Sequence, residues 1–124
     1  MFIVISPQNP DPMYKQVTDQ IKDAIASGTL KPETKLPSIR EMARELKISM
    51  ITIKRAYTDL ENEGYILTRS GLGSFVVDIN RDKLREEKLA EIRSELKKIL
   101  HAAASYDITA EDIFATLRRK GVKG

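Results

Sequence analysis

The chain has 124 residues, 41% of them hydrophobic and 31% charged, with a formal net charge of +3. That size and balance suit one small soluble domain with an appendage and exclude a disordered chain. With no cysteine and a single histidine, His101, disulfides, thiolate metal sites, a cysteine nucleophile and a histidine cluster are excluded. No apolar run approaches the roughly 20 residues of a membrane helix, and "MFIVIS" lacks the basic flank and length of a signal peptide. A cytoplasmic protein without membrane contact is therefore expected. Residues 1–79 carry ten basic and ten acidic side chains, so the excess charge lies in residues 80–124. The basic side chains nevertheless cluster between residues 35 and 55, where Lys35, Arg40, Arg44, Lys47, Lys54 and Arg55 face only Glu41 and Glu45.

In chain order, the prolines of "PQNPDPM" delay the first helix until Met13. Tyr14, Val17, Ile21, Ala24 and Ile25 then recur on one face, and Gly28 stands where a left-handed helix end needs it. "LKPETKLP" reads as an irregular connector. "SIRE" has the capping-box pattern, Ser38 with Glu41, and opens a short helix whose buried stripe is Ile39, Met42, Ala43 and Leu46.

The stretch "KISMITIKRAY" begins like a strand, but alternation collapses at Lys54-Arg55. Ile53, Ala56, Tyr57 and Leu60 instead keep helical spacing, which predicts a third helix over about residues 50–63, capped by Ser49 and ended by Gly64. Ile51, Lys54, Arg55 and Thr58 point away from that stripe. Met50 lies about 60° from it, compatible with a half-buried or an exposed place, whereas Ile51 lies about 160° from Ile53. "YILTR" and "SFVVD", separated by Ser70-Gly71-Leu72-Gly73, form a predicted hairpin. Helix, helix, connector, helix, hairpin is the outline of a winged helix-turn-helix.

From Arg81 a charged helix carries Leu89, Ile92, Leu96, Ile99 and Ala103 at 3-4-3-4 spacing. Thr109 with Glu111 and Asp112 opens a last short helix bearing Ile113, Phe114 and Leu117, with Gly121 at its end. The expected fold class is thus α+β and mostly helical: a winged helix-turn-helix domain, residues 1–79, followed by a two-helix tail, residues 80–124. Two helices are too few to bury a core alone, so the stripe of Leu89, Ile92, Leu96 and Ile99 is the candidate homodimer interface, with packing inside the same chain as the alternative.

The ordered series "SGTL", "LPSIREMA", "TIKRA", "LENEGYI" and "GLGSFV", from Pro12 to Val76, resembles the DNA-binding domain of the GntR family of bacterial transcription regulators. The short tail resembles the YtrA subfamily, whose members lack a large effector domain. The resemblance implies that Arg40, Ser49, Met50, Ile51, Thr52, Lys54 and Gly71 approach double-stranded DNA, and Arg55 shares their exposed face. Met50 and Ile51 depart from the arginine and polar residue common there. Apolar side chains in those places suit a thymine methyl and shift the expectation toward A·T-containing half-sites. The implied function is a regulator, as a rule a repressor, binding an inverted-repeat operator as a homodimer, with residues 65–78 as a wing at the minor groove. A winged-helix module whose basic face meets an acidic protein partner is the competing reading. No nucleophile elbow, Walker loop or cluster of catalytic acids is present, so neither enzymatic activity nor a cofactor is expected; a two-helix tail offers little room for a small-molecule effector, and a groove at a dimer interface is the place left for one of unknown identity.

Overall fold

The computed structural model describes residues 3–121, so the ends of both expected segments, residues 1–2 and 122–124, lie outside the described residues. Contacts divide the chain into two units, Met1–Arg81 and Asp82–Gly124. The first holds α1 (Met13–Ser27), α2 (Ile39–Leu46), α3 (Met50–Asn62), β1 (Ile66–Arg69) and β2 (Gly73–Val76). The molecule is an α+β, mostly helical winged helix-turn-helix followed by helices α4 (Arg81–Ala104) and α5 (Ala110–Arg119).

Local chemistry sets each boundary. Helix α1 begins after Pro12 and stops at Gly28, whose φ of 84° is the left-handed conformation that a Cβ would oppose. At α2, the Glu41 N–H donates to Ser38 Oγ (3.1 Å) and the Ser38 N–H donates to Glu41 Oε1 (3.2 Å), completing the capping box. Those bonds from Ser38 hold the Glu41 carboxyl below its ordinary pKa. Helix α2 ends on Lys47, a non-glycine residue at φ 57°, which makes the tight turn into α3. Ser49 caps α3 by accepting from the Thr52 N–H at 3.1 Å.

Val17, Ile21, Met42, Ile53, Leu60, Ile66 and Val76 are essentially inaccessible to water and join α1, α2, α3 and the hairpin in one core. Each such aliphatic side chain contributes about 1.5–3 kcal/mol relative to exposure. Tyr57 belongs to this core as well. Its hydroxyl donates to the Pro37 carbonyl at 2.7 Å, fastening α3 to the residue before the α2 cap. Burial raises the phenol's pKa far above neutrality, so the donor is kept at every physiological pH. Tyr57→Phe is expected to cost about 1 kcal/mol in thermal or urea unfolding, because the Pro37 carbonyl loses its partner.

Two segments take more order than the sequence suggests. Ile3 is buried in the core, and Val4 and Ser6 are held by side-chain amides of α1. Gln20 accepts from the Val4 N–H (3.0 Å) and donates to the Val4 carbonyl (2.8 Å). Gln16, itself buried, accepts from the Ser6 N–H (2.9 Å) and donates to the carbonyls of Ser6 and Asp11. The two glutamines thus act as a strand neighbour for residues 4–6. The connector "LKPETKLP" is not irregular throughout: Lys35 forms an antiparallel bridge with Phe75, and the Leu36 N–H donates to the Ser74 carbonyl at 2.9 Å. The pairing is non-local and one bridge long, so no alternation marks it. The hairpin itself runs one residue nearer its turn than expected, pairing Arg69 with Gly73 across Ser70-Gly71-Leu72.

In the second unit, Thr109 and Asp112 form a reciprocal capping box that starts α5, and Asp107 at φ 57° turns the chain between the helices. No residue of α4 or α5 is buried. Ile92, Leu96 and Ile99 are 44%, 42% and 54% exposed, and Leu89 is half-buried. Phe114 and Leu117 are exposed too. Among the described residues, no helix is long and apolar enough to cross a membrane.

Candidate nucleic-acid interface

The first turn of α3 is an open helix end. Ser49 Oγ satisfies the Thr52 N–H and lies 2.7 Å from Thr52 Oγ1, so the two hydroxyls are engaged with each other. The Met50 and Ile51 N–H groups precede the first possible intrahelical bond and stay available to an outside acceptor, at the positive end of the helix dipole. Such an end attracts phosphate. Ile51 is 82% exposed and Met50 48% exposed, which resolves the two places left open for Met50 in favour of the surface.

One turn further along α3, Lys54 and Arg55 are exposed, but differently occupied. The Arg55 guanidinium lies 3.6 Å from the centre of the Tyr14 ring, stacked on the start of α1. That contact fixes the guanidinium plane while its N–H edge stays accessible, a preorganised donor set rather than a loose cation. Lys54 and Arg40 form no ion pair with any described residue. Both are therefore uncommitted positive charges.

Helix α2 and the hairpin frame these groups. Arg40 shares a cleft with Lys35, Pro37, Leu72 and Gly73, and Lys54 shares a second with Thr58, Glu61, Thr68 and Ser74. Ile39, Tyr57 and Ser74 line both, so the start of α2, the outer face of α3 and the wing form a continuous surface. The Thr68 hydroxyl donates to Glu61 Oε2 (2.5 Å) and lies 3.1 Å from Ser74 Oγ, tying the end of α3 to both wing strands. Arg69 is bound at 3.0 Å to Glu33 and stacked over Phe75, so its charge is spent inside the wing.

Gly71 stands at the wing tip with φ 74° and no atom within 4 Å of where a Cβ would be; backbone conformation, not crowding, asks for glycine there. The close approach is at Gly73, where a Cβ would lie 2.8 Å from Lys35 Cε. Lys35 thus joins the surface by crossing the base of the wing. Its membership in the basic cluster was the only sequence signal for it.

Residues 13–76 match the model of the "Bacterial regulatory proteins, gntR family". The HTH-type transcriptional repressor YtrA of Bacillus subtilis is 36% identical over 98 residues, covering 79% of this chain and 75% of YtrA. The solved structure of a GntR family transcriptional regulator from Listeria monocytogenes is 30% identical and superposes with a TM-score of 0.73, covering 90% of this chain and 97% of the other. AraR(DBD) in complex with operator ORX1 is 30% identical, with a TM-score of 0.53 over 60% of this chain and 92% of the other. With its winged fold, short helical tail and these relatives, the chain belongs to the GntR family of bacterial regulatory proteins, among its YtrA-like members.

Proposed function

We propose that this DNA-binding regulator is a repressor that occludes a promoter by binding an inverted-repeat operator as a homodimer. The observation that carries the reading is the pair of uncommitted cations, Lys54 one turn behind the open N-terminal end of α3 and Arg40 in the first turn of α2, each in a cleft that reaches the glycine-tipped wing. In this arrangement α3 enters the major groove and α2 braces the phosphate backbone. Arg40, Ser49 and the first-turn N–H groups take phosphates, Lys54 takes a phosphate or guanine edge, and Gly71 lets the wing backbone approach the minor groove. YtrA of B. subtilis is named a repressor, and AraR(DBD) was solved on an operator, which supports extending both properties here.

The tail supplies the dimer. Helices α4 and α5 bury no side chain, so the stripe of Leu89, Ile92, Leu96 and Ile99 has its apolar surface left for a second copy. A twofold dimer then places half-sites about 34 Å apart, or a multiple of that. Binding to chromosomal DNA is the reason to assign the protein to the cytoplasm in this reading.

Binding to an operator recovered by in vitro selection, followed across a salt series, tests the reading. Affinity should fall steeply with salt as phosphate contacts release counterions. Lys54→Ala or Arg40→Ala should weaken binding about tenfold and reduce the slope of log K against log salt by about one if the lost contact is to phosphate. A wild-type chain that ignores DNA at low salt would leave the protein-interaction module as the better account.

A further inference from the structure

The first turn of α3 carries an unusual set of side chains for a base-reading surface. Ile51 is 82% exposed and Met50 48% exposed. The hydroxyl groups beside them, on Ser49 and Thr52, are paired with each other at 2.7 Å. Thus the larger side chains at the tip of the helix present methyl and thioether surface, while the Ser49–Thr52 pair keeps a single hydroxyl proton for an outside acceptor such as phosphate. Isoleucine here is not a spare core residue, since the core stripe runs through Ile53, Ala56, Tyr57 and Leu60. Basic groups, Lys54 one turn along and Arg40 on α2, provide the attraction that would bring a polyanion to this apolar tip.

In the major groove the C5-methyl of thymine is the apolar group that base edges offer; guanine and cytosine edges present acceptors and an amino donor. Pressing Ile51 against a G·C edge would desolvate those polar atoms without replacing their water bonds. We propose that Ile51, with Met50 beside it, reads the C5-methyl group of a pyrimidine, thymine or equally 5-methylcytosine, in each half-site. The proposal rests on α3 entering the major groove.

The experiment uses the full chain and its selected operator, with each thymine in turn replaced by deoxyuridine, which removes the methyl and keeps the base pair. Binding should weaken roughly fourfold at the contacted thymine, the value of one buried methyl group. Cytosine at that position should bind more weakly than thymine, and 5-methylcytosine should recover binding relative to cytosine. Ile51→Ala should lose a similar factor on the thymine operator and no longer distinguish thymine from deoxyuridine. An unchanged melting temperature for Ile51→Ala and unchanged self-association by light scattering would exclude a fold defect or a second copy seated on Ile51. Specific binding that is indifferent to every deoxyuridine substitution overturns methyl reading alone. Absence of any operator-specific binding overturns both this and the DNA-binding reading beneath it. Retained thymine preference in Ile51→Ala would also overturn the assignment.

Discussion

Replacing Ile92 and Leu96 together by glutamate is expected to convert the proposed dimer to monomers and to weaken operator binding by about a hundredfold or more. The two side chains are 44% and 42% exposed and lie on the same stripe of α4 as Leu89 and Ile99. A helical pair of this size without a buried residue does not maintain itself by its own core, and in the proposed dimer a second copy covers the stripe. At a twofold interface each substitution appears twice and meets its own copy or a neighbour of it, so the charges repel as well as resist burial. Glutamate is a good helix former, so α4 itself should persist, and far-UV circular dichroism can confirm that. Loss of the dimer removes the linked second half-site, which is the source of the large factor. Light scattering and a gel-shift titration read the two effects separately. A variant that stays dimeric and binds as tightly as the wild type would show that the stripe is not the interface.

What could be read from the chain, and what could not, follows the range of the interactions involved. Gly28, the Ser38 and Glu41 box, the Ser49 cap and the Thr109 and Asp112 box are settled within three or four residues, and the sequence displays each of them. The spacing of Ile53, Ala56, Tyr57 and Leu60 likewise separates core from surface on α3. Longer connections were silent. Gln16 and Gln20 look like ordinary polar helix residues until residues 4–6 lie across them. Lys35 reads as one more loop cation, yet it bridges Phe75 and covers Gly73. Arg55 was legible as exposed, but its seat on the Tyr14 ring depends on how α1 and α3 cross. At the candidate surface, therefore, sequence identified the end of α3 that is presented, while the clefts beside the wing needed the fold.

Ile53→Ala should be among the most destabilising alanine substitutions in α3, and it is most informative beside Ile51→Ala. Ile53 is 0% exposed, enclosed by a core that includes residues of α1, α2 and the hairpin, whereas Ile51 two positions earlier is 82% exposed. Truncating Ile53 removes buried methyl groups and leaves a cavity that backbone elements on several sides hold open, a loss of about 2–4 kcal/mol. For a unit this small that lowers the melting temperature by about 10 °C or more. Ile51→Ala takes away surface already in water and should change stability by less than about 0.5 kcal/mol. Operator binding should invert the order when measured well below both melting temperatures: Ile53→Ala, folded, keeps the outer face of α3 and most of its affinity, while Ile51→Ala loses affinity without unfolding. Thermal melts and titrations on the same two samples test this. If Ile53→Ala melted like the wild type and Ile51→Ala did not, α3 would have to be rotated by nearly half a turn about its axis, and the presented face with it.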